Sequence, residues 1–180
     1  NGSPLEGNLA HLQHFFDRGV RYITLAHARA NHIADAATGS IKLHQGLSAF
    51  GCDVVRGMNA LGMMVDVSHL SDEAAHAVFG VTQAPVIASH SSCRALTPDF
   101  VRNAPDDVLR GIADTGGLAM ITFGSNFVDD EVRVQEQRRQ DLWMQQVRTM
   151  GDDVDPDVKE EARTAFRAAH PKARATVGRV

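Results

Sequence analysis

The chain has 180 residues, 43% hydrophobic and 22% charged, with 18 basic against 22 acidic side chains and a formal charge of −4. Those fractions are ordinary for a globular protein and exclude disordered, collagenous and low-complexity classes, while the slight acidic excess gives no support to a nucleic-acid surface. No apolar run reaches the roughly 20 residues of a membrane span, and two cysteines, Cys52 and Cys93, are too few for a disulfide scaffold.

In chain order, residues 7–18 place Leu9, Leu12, Phe15 and Phe16 on one helical face and end at Gly19, the expected C-cap. Residues 20–26 (VRYITLA) read as a buried strand, because β-branched and large apolar side chains concentrate there. Residues 47–61 carry Val54, Val55, Met58 and Leu61 at helical spacing before Gly62, and residues 63–67 (MMVDV) make the next strand. Ser71 is the expected cap of a helix through Val78 and Phe79, with Gly80 behind it, and residues 85–88 (PVIA) are a third strand. Asp106, following Pro105, is the expected cap for residues 108–113, which end at Gly116-Gly117 before a fourth strand at 118–123 (LAMITF). Beyond Phe123 a long charged helix over 128–150, an acidic turn at 152–156 and a second helix over 158–169 follow. Residues 128–170 are expected to be a helical elaboration within one domain covering 1–180, their mixed charges forming a solvated face. The missing initiator methionine at Asn1, and residues 175–180 opening an element with no stop signal, suggest an internal piece of a longer protein.

Helices alternating with strands imply βαβ crossovers and a parallel sheet, either doubly wound or a (β/α)8 barrel. No glycine-rich phosphate loop follows a strand, which weakens the nucleotide-binding version. A whole barrel takes about 250 residues, so four strands make roughly half of one.

Active sites in such folds lie past the C-terminal ends of the strands, and His27, His69 and His90 all fall there. His69 closes Val65-Asp66-Val67-Ser68-His69 and His90 closes Pro85-Val86-Ile87-Ala88-Ser89-His90. On adjacent strands, about 5 Å apart, two such imidazoles can converge on one metal ion, at about 2.0–2.1 Å for zinc. A single strand-end histidine is more often a hydrogen-bonded structural residue. A catalytic zinc takes three protein ligands, and the sequence offers no convincing third. Arg102 could clamp a carboxylate or merely support its loop. Asp66 reads as a hydrogen-bonded barrel residue, and His32 and His44 as solvated loop residues. Ser68 and Ser91 lack a nucleophile elbow, and Cys52 and Cys93 lack a catalytic or redox context.

The ordered series Gly19-Val20-Arg21-Tyr22-Ile23-Thr24-Leu25-Ala26-His27, Gly46-Leu47-Ser48-Ala49-Phe50-Gly51, Met58-Asn59-Ala60-Leu61-Gly62-Met63, the two histidine motifs and Arg102-Asn103-Ala104-Pro105-Asp106-Asp107 resembles the membrane dipeptidase (renal dipeptidase) family, peptidase family M19, in its bacterial form. The resemblance covers residues 1–127, and the remaining chain matches more loosely. It implies an α/β fold, a (β/α)8 TIM barrel of the metallo-dependent hydrolase type, of which this chain covers roughly the central half. A complete site would hold two Zn2+ ions. By position His69 and His90 match the ligands of one zinc, His27 matches the histidine that contacts substrate and steadies the tetrahedral intermediate, and Arg102 matches the arginine that binds the substrate carboxylate. Phe127 stands where the family has a tyrosine near the substrate. The other zinc's His-x-Asp pair and the bridging glutamate are expected upstream of Asn1, Glu6 being no substitute, and a further acidic residue after Val180.

The implied activity is hydrolysis of dipeptides, D-residues being tolerated at the C-terminal position, by a metal-bridged hydroxide. The alternatives are a related barrel metallohydrolase acting on another amide or lactam, and a non-catalytic relative. The 180-residue piece alone is expected to be inactive and, with open sheet edges, prone to aggregate. The expected partner is the dipeptide substrate, with no nucleic acid and no membrane segment in this chain, and the full-length protein a candidate homodimer. The resemblance favours the periplasm or cell envelope over the cytoplasm.

Overall fold

The computed structural model describes residues 1–151 and 153–175; Asp152 of the acidic turn and residues 176–180 lie outside the described residues. The chain divides into two compact units, Asn1–Thr122 and Phe123–Val180.

The first unit holds four parallel strands, β1 (Tyr22–Thr24), β2 (Met64–Asp66), β3 (Ile87–Ser91) and β4 (Leu118–Ile121), in the spatial order β1-β2-β3-β4. Helix α1 (Ala10–Asp17) precedes β1, and α2 (Ala49–Leu61), α3 (Asp72–Val81) and α4 (Asp106–Asp114) provide the crossovers. A doubly wound sheet reverses its strand order at a switch point, whereas here every strand lies beside its neighbour in sequence. Right-handed crossovers that advance in one direction keep their helices on one face, which is the arrangement of a barrel wall.

Strand alternation separates the two faces. Ile23, Val65 and Ala88 join Val54, Val55, Met58, Val78 and Ile112 in one buried cluster. Tyr22, Met64, Leu118 and Met120 are exposed, and Tyr22 pairs with Met64 in register. Two residues further along, on the face carrying Tyr22 and Met64, come Thr24 and Asp66, with Ser89 two residues beyond Ile87, the residue that pairs with Asp66. That face is thus apolar at the start of the strands and polar at the C-terminal ends of β1, β2 and β3.

Local chemistry sets the element ends. The Gly19 N–H donates to the Phe16 carbonyl and the Val20 N–H to that of Phe15, the paired bonds of a Schellman ending, with Gly19 at φ +92°. Ser48 and Ser71 cap α2 and α3 by accepting from the N–H groups of Gly51 and Ala74. Two expectations need correction. Helix α3 runs through Gly80 to Val81 and ends at Thr82, because glycine fits a helix sterically and Val81 packs against the core. At α4 the extended residue is Pro105, and Asp106 is already helical, so Asp106 and Asp107 act on the first-turn dipole and not as caps.

Gly117 sits so close to the residue preceding β3 that a Cβ built on it would lie 2.0 Å from the Val86 carbonyl oxygen. Backbone cannot yield as a side-chain tip can, so Gly117→Ala is expected to push β4 away from β3 and cost about 1–3 kcal/mol. Urea denaturation of the full-length protein measures it; an unchanged midpoint would contradict the close approach.

The second unit is helical: α5 (Ser125–Val128), α6 (Asp130–Met150) and α7 (Pro156–Ala169). The single helix expected over 128–150 is broken at Asp129, whose carboxylate accepts from the Val132 N–H and so starts α6 afresh. Asp155 caps α7 with Pro156 at its first position. Trp143 packs on Phe166 at 5.3 Å between ring centroids, and buried Glu136 is satisfied by Arg139 and the Ala173 N–H. Among the described residues no helix is long and apolar enough to cross a membrane.

Candidate active site

Three histidines meet at the C-terminal ends of three neighbouring strands. His27 follows β1, His69 follows β2, and His90 lies near the end of β3. His69 Nε2 and His90 Nε2 are 2.9 Å apart. The His27 ring stacks on that of His69 with centroids 3.9 Å apart, and one nitrogen from each ring lies within 4.8 Å of the others. The sequence placed His69 and His90 together; the structure adds His27 to the same cluster.

The backbone is bent to achieve this. His69 has φ +69°, a left-handed conformation costing on the order of 1 kcal/mol for a residue with a Cβ. It is held there by the Leu70 N–H on the Val67 carbonyl and by the Ala37 N–H on its own carbonyl at 2.7 Å. The segment bearing Ala37 is ordered by Asp35, a buried carboxylate that accepts from the N–H groups of Leu43, His44 and Gly46. Burial alone would raise the Asp35 pKa, but those bonds hold it below the ordinary value. The loop after β1 is therefore packed. His44 Nε2 lies 2.7 Å from the Asn31 carbonyl and His32 sits against Phe50, so neither is the freely solvated residue expected.

Electrostatics suit metal binding. Burial, then the Arg102 charge, then His27 and His90, push the His69 pKa down to about 3 despite the opposing Asp66. Burial and Arg102 also lower that of His90. Both imidazoles are therefore neutral at physiological pH, the form that ligates metal. Clustered neutral nitrogens are a donor set suited to zinc.

Arg102 is 6% exposed and is anchored beneath this cluster. Its Nη2 donates to the His90 carbonyl at 2.5 Å and its Nη1 to Ser91 Oγ at 3.0 Å. Burial lowers its pKa to about 10, with Asp66 opposing, so it stays charged. Asp66 is fully buried, and four hydrogen bonds converge on it. Oδ1 accepts from the Ser68 N–H (3.0 Å) and the Ser89 N–H (2.9 Å), Oδ2 from the Thr24 and Ser89 hydroxyls (both 2.6 Å). Burial pushes its pKa up, but these donors outweigh that and keep it ionised, below the usual value. Thr24 and Ser89 did not stand out in the sequence. Their signal was a polar residue at the last inward position of each strand, legible only once the register is known. Cys52 and Cys93 are free thiols.

The chain is similar to known peptidases. Over 118 residues it is 49% identical to dipeptidase tcpJ of Claviceps purpurea, a match covering 65% of this chain and 28% of that relative. The probable dipeptidase PvdM from Pseudomonas aeruginosa superposes with a TM-score of 0.73 at 25% identity, over 99% of this chain and 50% of that one. A metallo peptidase from Rhodobacter sphaeroides, liganded with a phosphinate mimic of the dipeptide L-Ala-D-Ala, gives 0.62 at 27% identity over 69% of this chain and 36% of that one. The chain thus spans about a third of the length of its curated relatives and up to half of these solved ones. The description "Membrane dipeptidase (Peptidase family M19)" matches residues 1–178, and with the strand-end histidines in place this chain belongs to that family.

Proposed function

We propose that the protein containing this chain is a zinc-dependent dipeptidase and that the chain supplies half of its barrel wall and one part of its metal site. The carrying observation is the convergence of His27, His69 and His90 past three adjacent parallel strands in a member of this family. His69 and His90 would hold a zinc ion. Bound there, zinc supplies Lewis-acid polarisation of the scissile carbonyl and an activated water.

The chain's own residues do the rest. His27, exposed and stacked on His69, would donate a hydrogen bond to the carbonyl oxygen as negative charge develops on it. Arg102 would hold the substrate's terminal carboxylate, selecting dipeptides over longer chains, and D-residues would be accepted at that position. Its positive charge already reaches the site, where it depresses the pKa values of His69 and His90. The full-length protein would be a homodimer, exported to the periplasm or cell envelope.

The direct test is hydrolysis of a panel of L,L and L,D dipeptides, tripeptides and β-lactams by the zinc-loaded full-length protein. Turnover confined to dipeptides supports the proposal, and turnover of lactams alone points to the related metallohydrolase. Within that assay, Arg102→Lys is expected to lower kcat/KM about 10- to 100-fold, chiefly through KM, the loss of a charge-assisted hydrogen bond worth about 1.5–3 kcal/mol. An unchanged KM would remove Arg102 from substrate binding.

A further inference from the structure

Asp66 and Ser89 form a hydrogen-bonded chain that ends on a ring nitrogen of His90. Asp66 Oδ2 is 2.6 Å from Ser89 Oγ, which is in turn 2.7 Å from His90 Nδ1. The direction of every hydrogen in this chain follows from counting donors. Asp66 is an ionised acceptor with two donors on each oxygen, so it has no proton to give. The Ser89 hydroxyl carries one hydrogen, which therefore lies between Oγ and Asp66. The contact from Ser89 to His90 must then be closed by a hydrogen on Nδ1, accepted by a Ser89 lone pair. A neutral imidazole with its proton on Nδ1 has its remaining lone pair on Nε2, and Nε2 is the atom facing His69.

We propose that Asp66 and Ser89 are positioning residues that fix the tautomer and ring orientation of His90, so that Nε2 is presented to metal before any ion arrives. The inference rests on the reading of His90 as a metal ligand. Thr24, on β1, and Ser68, whose hydroxyl accepts from the His90 N–H at 3.1 Å, brace the same unit from β1 and from the end of β2. Three neighbouring strands thus contribute to the aim of one nitrogen. A histidine ligand without such support loses affinity because the wrong tautomer and free ring rotation must be overcome on binding, typically by 10- to 100-fold.

The test uses full-length protein with Zn2+ as the probe. In metal-free wild type, nitrogen NMR of the imidazoles should place the His90 proton on Nδ1. Ser89→Ala should give a mixture of tautomers and weaken zinc about 10- to 100-fold in chelator competition, and Ser89→Thr, which keeps the hydroxyl, should restore both. A wild-type His90 proton on Nε2, or an alanine variant with unchanged tautomer and affinity, overturns the proposal. The wild-type spectrum decides the proton's place even if the alanine variant misfolds. His90→Ala separates the two readings: full zinc content in that variant overturns His90 as a ligand, whatever Ser89 does to its ring.

Discussion

Replacing His90 by alanine in the full-length protein is expected to remove one zinc equivalent and lower kcat/KM on the order of 10³-fold, with His69→Ala giving the same result. The size follows from the several kcal/mol of charge stabilisation that a bound metal supplies, since each 1.36 kcal/mol is a factor of ten. The equality follows from geometry. With their Nε2 atoms 2.9 Å apart the two rings would serve one ion, and neither alone would be a sufficient ligand set. The double variant His69→Ala/His90→Ala should consequently be no worse than either single one, as expected for residues acting as a unit. Elemental analysis for zinc and steady-state kinetics on one dipeptide check it. Multiplying single effects in the double variant would mean that the histidines act separately, and the shared ion would be abandoned.

His27→Ala is expected to lower kcat about 10²- to 10³-fold with little change in KM and with full zinc content, the loss of one preorganised donor to a developing oxyanion. The geometry alone allows a second outcome, because a His27 nitrogen lies within 4.8 Å of those of His69 and His90 and a third imidazole could complete the donor set. The variant distinguishes them: retained metal with a lower kcat assigns the oxyanion role, while lost metal makes His27 a ligand. Exposure of His27, against the partial burial that keeps His69 neutral, favours the first.

Much of the wall was legible because its rules are local. Gly19 ended α1 by the bonds that a left-handed glycine permits, and Ser71 capped α3 through its hydroxyl. Three strands proved shorter than the apolar runs that announced them, residues 20–26 contributing only Tyr22–Thr24, whereas β3 starts later than the 85–88 run and continues through the polar residues to Ser91. Leu25 and Ala26 are buried because they pack in the core, without continuing the ladder. Asp129 escaped notice for the opposite reason. A capping aspartate within a helical pattern is visible only when its carboxylate is seen to accept from the Val132 N–H.

Periodicity and caps act within a few residues, so the alternation of helices and strands, and with it the parallel sheet, follows from local patterns, as does the placement of His27, His69 and His90 at strand ends. The remaining features depend on long-range packing. Strand order excluded the doubly wound sheet, because adjacency depends on which crossover packs beside which. Register set Thr24, Asp66 and Ser89 on one face, and only then could a buried carboxylate gather hydroxyls from residues 42 and 23 positions away. The left-handed turn at His69 was equally invisible, because its support comes from Ala37, far along the chain. Long-range hydrogen bonds of this kind have no local signature, and they are what hold three strand-end histidines in one cluster.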